Sequence, residues 1–190
     1  MIGTVINLDS RPDRLSKFRS INKFPFEVDR MPAKVSDNGE DGCTWSHIAA
    51  MNRNYFPFVV FEDDCVMIEP WSTVEKCMAE LPHDWDALWL GATLTQRLDR
   101  YSPHLFRLKK AYCLHAVIYS SRRMINFVMN NHKTPSGVNL DIFFFNHVME
   151  KFNCFITDPI CATQSESYSD IALKQSGSWI IEHSYHKYTK

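Results

Sequence analysis

Short apolar runs alternate with amphipathic stretches along most of the chain, and this alternation predicts the fold class. The run Phe58-Val59-Val60-Phe61 is continuous, apolar and rich in β-branched and aromatic residues, so both of its faces must be covered by other elements. Between such runs, apolar residues recur at helical spacing, as in the stretch 13–21. Strands that alternate with helices form layered α/β folds. The pattern therefore predicts an α/β three-layer sandwich.

The same pattern predicts the individual elements. Strands are expected at 4–6, 24–31, 58–61, 87–90, 116–119 and 154–156, and helices at 13–21, 45–55, 72–81, 121–130 and 140–152. Thr44 is a candidate N-cap for the second helix. Loops are expected at 34–43 and 134–139, a polar excursion at 93–110, and a tail at 162–190 that folds over the body. No repeat or linker interrupts the chain, so we expect one domain, 1–190.

Charge and composition exclude several classes of protein. The formal net charge is −1, whereas proteins that bind nucleic acid through its phosphates usually carry a basic excess. No stretch approaches the roughly 20 apolar residues of a transmembrane segment, and the apolar run after Met1 is too short for a secretory signal. The six cysteines include no C-x-x-C pair, so we interpret them as reduced thiols. The expected compartment is the cytoplasm.

Polar groups follow three of the predicted strands, at the end where open α/β sheets bind ligands. These groups are Asn7-Leu8-Asp9, Glu62-Asp63-Asp64 and Gly91. Three consecutive carboxylates repel one another unless a cation is present, and Mn²⁺ and Mg²⁺ prefer carboxylate oxygens. We interpret Glu62, Asp63 and Asp64 as ligands of Mn²⁺ or Mg²⁺ that is shared with a substrate diphosphate. The alternative is an acidic turn that caps the next segment.

Six segments carry a resemblance to a known family. In chain order, Val5–Leu15 is similar to "INLxxRxDR", Gly39–His47 to "GxxGCxxSH", Val59–Asp64 to "xxLEDD", Trp85–Gly91 to "WDxxxLG", His115–Ser120 to a small-residue strand, and Ser169–Ile171 to "SDI". Each match is weak alone, but together they cover about 4–171 in the order found in glycosyltransferase family 25. That family includes bacterial lipooligosaccharide galactosyltransferases and collagen galactosyltransferases.

The resemblance implies a GT-A-like three-layer α/β/α sandwich with a mostly parallel central sheet. It also implies transfer of a hexosyl or pentosyl group from a nucleotide sugar, a UDP-sugar by preference, with inversion at the anomeric carbon. The acceptor would be a hydroxyl of a glycan or of a lipid-linked or protein-linked molecule. The chain is shorter than several family members, so the resemblance leaves the donor sugar and the acceptor open.

Matched positions then receive expected roles. The nucleotide-side wall is expected to comprise Asn7, Leu8, Asp9, Arg11 and Arg14. The two arginines suit a diphosphate because guanidinium binds phosphate in a bidentate manner. Ordinary surface ion pairs are the alternative for both. Ser46 and His47 are expected at a helix start near the donor, where the helix dipole favours anions, although a lone histidine is often structural.

An inverting transfer needs a base that takes the proton of the acceptor hydroxyl. Asp141 is the first candidate because it opens a predicted helix after a loop. A carboxylate that only complements the helix dipole is the alternative interpretation of this position. Asp170 and Glu166 are further candidates for the base, and His183 and His186 are candidates for an additional metal ligand from the tail.

Two other functions remain open at this point. A metal-dependent phosphoryl-transfer enzyme or hydrolase could use the same acidic triplet, but the chain has neither G-x-x-x-x-G-K-[ST] nor G-x-S-x-G. A non-catalytic sugar-binding module would keep aromatic surfaces and would not need three carboxylates. The sequence favours a glycosyltransferase.

Overall fold

A mixed eight-stranded sheet forms the centre of the structure, a computed structural model that describes residues 1–132, 139–165, 167–169, 174–176 and 179–189. In chain order the strands are β1 (Ile2–Asn7), β2 (Val28–Pro32), β3 (Phe58–Glu62), β4 (Cys65–Met67), β5 (Ala87–Trp89), β6 (Thr93–Leu94), β7 (Asp99–Ser102), β8 (Leu105–Arg107), β9 (Ala111–Tyr112), β10 (Ala116–Tyr119), β11 (Cys154–Thr157), β12 (Ala162–Gln164), β13 (Ser167–Ser169) and β14 (Lys174–Ser176). The large sheet has the order β2-β1-β3-β10-β5-β11-β8-β7.

The α/β class is confirmed, but the sheet is mixed and not mostly parallel. β1 is parallel to β2 and β3, and β5 is parallel to β11, whereas the other four pairings in the sheet are antiparallel. The reason lies in the connection between β5 and β10. The described chain at 93–112 forms short paired strands and no helix, and a parallel return would need a long crossover. β10 therefore enters between β3 and β5 in the opposite direction.

Helices cover both faces of this sheet. They are α1 (Pro12–Ile21), α2 (Gly39–Met51), α3 (Trp71–Ala79), α4 (Arg122–Asn131), α5 (Leu140–Phe143), which continues as a π-helical turn (Phe144–Val148), and α6 (Trp179–Tyr188). Side chains of α2, α4 and α5 pack with Val60 and Val117 on one face, and side chains of α1 and α3 pack with Phe61 and Ile118 on the other. None of the helices in the described ranges is both long enough and apolar enough to span a membrane.

Two element boundaries differ from the expectation in ways that matter for the site. α2 begins at Gly39 and not at residue 45, because the Asn38 side chain accepts a hydrogen bond from the Glu40 N–H and caps the helix. Thr44 is therefore inside the helix and not its N-cap. The predicted loop at 34–43 is thus helical from residue 39, and the second strand is Val28–Pro32 and not 24–31.

The carboxyl ends of β1, β3 and β5 meet at one edge of the sheet, together with the amino end of β10. Asn7 and Glu62 close β1 and β3, and the Glu62 N–H donates to the carbonyl of His115, directly before β10. Gly91 lies at the same edge, where a Cβ would come within 1.9 Å of the Ala162 carbonyl oxygen. Only glycine permits this close approach of two backbones. The three polar groups expected to converge at the strand ends do converge there.

Candidate functional site

A cavity of about 460 Å³ opens at this edge of the sheet. Most of the residues that the sequence singled out line it: Leu8, Arg14, Ser46, His47, Glu62, Asp63, Asp64 and Asp141. They come from the β1–α1 connection, from α1, α2 and α5, and from the end of β3. The fold thus brings residues up to 133 positions apart in sequence, Leu8 and Asp141, to one surface.

The acidic triplet divides between two directions. Glu62, the last residue of β3, turns toward α2, where its Oε1 lies 3.0 Å from Nε2 of His47. Asp63 and Asp64 turn toward α1, where Nη2 of Arg14 lies 2.8 Å from Oδ1 of Asp63 and 3.2 Å from Oδ2 of Asp64. The three consecutive carboxylates therefore face two different basic partners.

Asp63 is the better supported of the two aspartates. Nδ2 of Asn7 donates to its Oδ2 over 2.6 Å, and Nε of Arg30 donates to Oδ1 of Asn7 over 3.0 Å. Asn7 itself is buried and is not among the residues that line the cavity. The structure thus gives Asn7 a supporting position behind Asp63, and not the expected place in the wall of the cavity.

Asp64 carries an unsatisfied oxygen. Its Oδ2 accepts a 3.4 Å hydrogen bond from Gln164, but its buried Oδ1 has no hydrogen-bond partner among the residues that the structure describes. Burial, followed by the negative charge of Glu62, raises the pKa of Asp64 to about 7, and burial also raises the pKa of Asp63. A buried carboxylate oxygen without a donor is costly unless a ligand supplies the missing partner.

His47 and Glu62 form an ion pair on the opposite side. Burial alone would lower the pKa of His47, but hydrogen bonds to Cys43 and Glu62 outweigh it and raise that pKa. Burial also opposes ionisation of Glu62, yet the hydrogen bond and the charge of His47 lower its pKa. The pair is therefore an imidazolium and a carboxylate at neutral pH. Sequence reasoning missed Cys43, although its spacing of four residues from His47 on a helix was a usable signal.

Asp141 lies at the start of α5, as expected, and it also faces the cavity. Its own N–H is capped by the Asn139 side chain, and its Oδ2 accepts a 3.0 Å hydrogen bond from the N–H of Cys113. Burial and the charge of Glu62 raise the pKa of Asp141 to about 6. Cys113 has φ of 80°, a left-handed conformation that is unusual outside glycine. No sequence pattern indicates the contact of the Cys113 N–H with Asp141.

Ser46 and His47 lie in the cavity wall but not at a helix start. Because α2 begins at Gly39, both residues are in its second half, and the helix dipole cannot explain a role for them. Oγ of Ser46 donates to the Gly42 carbonyl over 2.6 Å and accepts from the Lys34 N–H over 2.8 Å. The Ser46 side chain therefore holds the segment before α2 against the helix.

Asp9 and Arg11 lie outside the cavity lining. Asp9 forms an ion pair with Arg30, and Arg11 forms an ion pair with Asp13 with an Nη2–Oδ2 distance of 3.1 Å. Asp13, two residues after Arg11, thus provides the surface ion pair that was the alternative for this arginine, while the charge of Arg11 also opposes the rise that burial causes in the pKa of Asp63. Arg14, one helical turn further, is the arginine that reaches the acidic triplet.

The two tail histidines that were candidates for a metal ligand do not line the cavity. His183 and His186 lie on the exposed side of α6 and are not in the cavity lining. Glu166 and Asp170 fall outside the described residues.

The residues present fit a divalent cation. Among the described residues that line the cavity, the acidic ones are Glu40, Glu62, Asp63, Asp64 and Asp141, and the basic ones are Arg14, Lys34 and protonated His47. The larger number of carboxyl groups than basic groups in this lining, together with an Asp64 oxygen that lacks a donor in the described part of the chain, suits a hard dication such as Mg²⁺ or Mn²⁺. Asp64 and Asp63 would hold it, whereas Glu62 is turned toward His47.

Comparisons with known proteins bear on the fold. No protein-family model matches the chain, and no curated protein matches it. Among solved structures the chain is similar to the crystal structure of A197 from STIV, with a TM-score of 0.51 and 15% sequence identity, over 92% of this chain and 91% of that chain. At this identity the similarity shows a shared fold and nothing about activity.

Proposed function

We propose that the protein is a metal-dependent glycosyltransferase that moves a sugar from a nucleotide-sugar donor to a hydroxyl of a glycan or glycoconjugate, with inversion. The observation that carries the proposal is one cavity that holds both Asp64, with its unsatisfied oxygen, and Asp141, with its raised pKa. The six ordered motifs that resemble glycosyltransferase family 25 support it, and a GT-A-like arrangement of the sheet is part of the same proposal.

The donor side of the cavity would be formed by Asp63, Asp64 and Arg14. Bound Mn²⁺ or Mg²⁺ would neutralise the charge that develops on the departing nucleoside diphosphate. Arg14 already lies within 3.2 Å of both aspartates, so its guanidinium can exchange one of these contacts for a phosphate oxygen. Asn7 keeps Asp63 oriented through its 2.6 Å hydrogen bond.

The acceptor side would be formed around Asp141. A general base works best when its pKa lies near the working pH, and burial raises the pKa of Asp141 to about 6. The Cys113 N–H fixes Oδ2 of this carboxylate and leaves Oδ1 for the proton of the acceptor hydroxyl. The attack of that hydroxyl on the anomeric carbon then displaces the nucleoside diphosphate in one step, which inverts the configuration.

A panel of UDP-sugars and other nucleotide sugars tests the proposal, with chromatographic detection of the released nucleoside diphosphate in Mn²⁺ and in EDTA. We expect release that requires metal, that is lost in Asp64→Asn, and that persists in the control Asp99→Asn. Asp99 is an exposed carboxylate paired with Lys109, outside the cavity lining. Full activity of Asp64→Asn in EDTA, or no release from any donor, would contradict the proposal. Release of inorganic phosphate would favour the phosphoryl-transfer alternative.

A further inference from the structure

We propose that Cys43, His47 and Glu62 form a second metal site, selective for a borderline transition-metal ion of the Zn²⁺ type, in the wall of the same cavity. The ligand atoms of these three side chains all lie within 4.8 Å of one another. They form the one such group of three or more His, Cys, Asp or Glu side chains found among the described residues. This metal site goes beyond the proposed transferase and does not depend on it.

The backbone already places the three side chains for chelation. Cys43 and His47 are four residues apart on α2, a spacing that puts both on one face of a helix. Glu62 is anchored at the end of β3, and its Oε1 lies 3.0 Å from Nε2 of His47. Ligand atoms around tetrahedral zinc are separated by about 3.3–3.8 Å, given bonds of about 2.0–2.3 Å. Small side-chain rotations therefore suffice to close the site.

The chemistry of the ligands selects the metal. Cys43 and His47 offer sulfur and imidazole nitrogen, which favour Zn²⁺ and similar ions over Mg²⁺ or Mn²⁺. Asp63 and Asp64 offer only oxygen, which favours the hard ions. Two neighbouring groups of side chains at one strand end thus differ in the class of cation that they prefer.

The coordination would leave one position open. Cys43, His47 and Glu62 all line the cavity, so a fourth ligand can come from water or from a bound molecule. Three protein ligands with an open position are typical of zinc sites that act on a ligand, whereas structural zinc sites have four protein ligands.

Binding must release protons. Zinc-type ions bind cysteine as a thiolate, histidine as a neutral imidazole and glutamate as a carboxylate, so any proton on these ligand atoms is lost to solvent. A dication with two anionic ligands and one neutral ligand makes the bound site neutral overall.

Cobalt(II) titration of the purified full chain tests the site without any nucleotide sugar. We expect one Co²⁺ per chain, a thiolate-to-cobalt charge-transfer band, loss of this band on addition of Zn²⁺, and no loss in excess Mg²⁺. Cys43→Ser should abolish the band and weaken binding by at least about 100-fold, because even changes to groups that only orient a ligand cost about 10–100-fold. Cys113→Ser is the matched control, since Cys113 also lines the cavity, and it should keep the band.

Three results would overturn the inference: no charge-transfer band in the unmodified protein, a band that survives Cys43→Ser, or displacement of Co²⁺ by Mg²⁺ as readily as by Zn²⁺. If Cys43→Ser does not fold, Glu62→Gln provides the decisive variant, because it keeps the thiolate band but should lower the affinity at least about 10-fold. An unchanged affinity in Glu62→Gln would also count against the site. Because the titration contains no donor, failure of the transferase proposal would leave these results unchanged.

Discussion

Buried carboxylates lie at two opposite edges of the same sheet, and their surroundings differ. Asp86 directly precedes β5, at the edge away from the cavity, and its side chain is fully buried. Nε and Nη2 of Arg123 donate to its two oxygens over 2.9 and 2.7 Å, and the Asn153 N–H donates over 2.8 Å. Burial opposes ionisation, yet these hydrogen bonds lower the pKa of Asp86.

The carboxylates at the cavity edge are the opposite case. Three consecutive acidic side chains, Glu62 to Asp64, lie at the end of β3, and Asp64 has an oxygen with no donor among the described residues and a pKa raised to about 7. A buried carboxylate with a full set of donors stabilises the native state, whereas one without them costs stability. The difference teaches that burial alone does not set the energetics of a carboxylate. The number of hydrogen-bond donors around it does, and this number separates the Asp64 edge of the sheet from the Asp86 edge.

The largest expected effect is on turnover, at Asp141. Asp141→Asn keeps the size of the side chain but cannot accept a proton at neutral pH. We expect turnover with a competent donor to fall by about 10²–10⁴, with donor affinity retained in isothermal titration. Because burial raises the pKa of Asp141 on folding, its ionised form costs stability at pH 7, so the variant should be at least as stable as the unmodified protein. Near-normal turnover would contradict a role of Asp141 as the base.

A change at Asp86 should produce the next largest effect, on stability alone. Asp86→Asn places an amide among donors that require a carboxylate, and we expect a loss of about 2–4 kcal/mol in the free energy of unfolding. The pKa of Asp86 is lowered on folding, so its contribution is present above the ordinary value of 3.8 and is lost as the pH falls through the folded-state pKa. Urea unfolding at pH 7 measures the loss.

The control for that experiment is the neighbouring carboxylate Asp84. It is exposed and accepts a hydrogen bond from the side chain of Asn153 over 2.6 Å. Asp84→Asn should change the free energy of unfolding by less than about 1 kcal/mol. Equal losses of unfolding free energy in the two variants would show that the full burial of Asp86 does not increase its contribution to stability.

Removing a carboxylate at the cavity edge should raise the free energy of unfolding, the opposite of the effect expected at Asp86. In EDTA at pH 8, Asp64→Asn removes a charge that burial and Glu62 disfavour, and we expect the free energy of unfolding to rise by about 1–2 kcal/mol. Folding raises the pKa of Asp64 from the ordinary 3.8 to about 7, so the ionised carboxylate destabilises the folded state. This cost in free energy grows as the pH rises from 3.8 to 7. The gain should therefore fade as the pH falls toward 4. A destabilised variant at pH 8 would mean that the Arg14 ion pair outweighs the repulsion.

The elements of this fold were predictable where the signal was local. The apolar runs at 58–61, 87–90 and 116–119 coincide with β3, β5 and β10 because continuous apolar segments must be buried. The direction of β10 was not predictable, since it depends on pairing across the polar excursion at 93–110. The start of α2 was also missed, because Gly39 and Gly42 indicate a loop. Gly42 is instead required by packing, since a Cβ there would come within 2.7 Å of the Lys34 carbonyl oxygen.

In the candidate site, too, positions with a local signal were predictable from the sequence, whereas contacts across the fold were not. Asp64 and Asp141 could be identified from their positions after a strand and before a helix, and both line the cavity. The contact of the Cys113 N–H with Asp141 spans 28 residues, and no local pattern indicates it. The sequence did not distinguish Cys43 from the other five cysteines, because only the tertiary fold brings it close to Glu62. Pairings across the fold are what single-sequence patterns leave undetermined.

The smallest expected effect is at Arg11, and it sharpens the comparison because Arg14, three residues further, should behave differently. Arg11 forms an ion pair with the exposed Asp13 at the surface, and such pairs contribute about 0–1 kcal/mol. Arg11→Ala should therefore leave the melting temperature and the affinity for a nucleotide-sugar donor nearly unchanged. Arg14→Ala removes the guanidinium that contacts Asp63 and Asp64 and should weaken donor binding by about 1.5–3 kcal/mol, the value of a hydrogen bond to a charged group. Calorimetric titration of both variants with the same donor measures the difference. If Arg11→Ala binds the donor more weakly than Arg14→Ala does, the turn before α1 would be the site that binds the donor diphosphate.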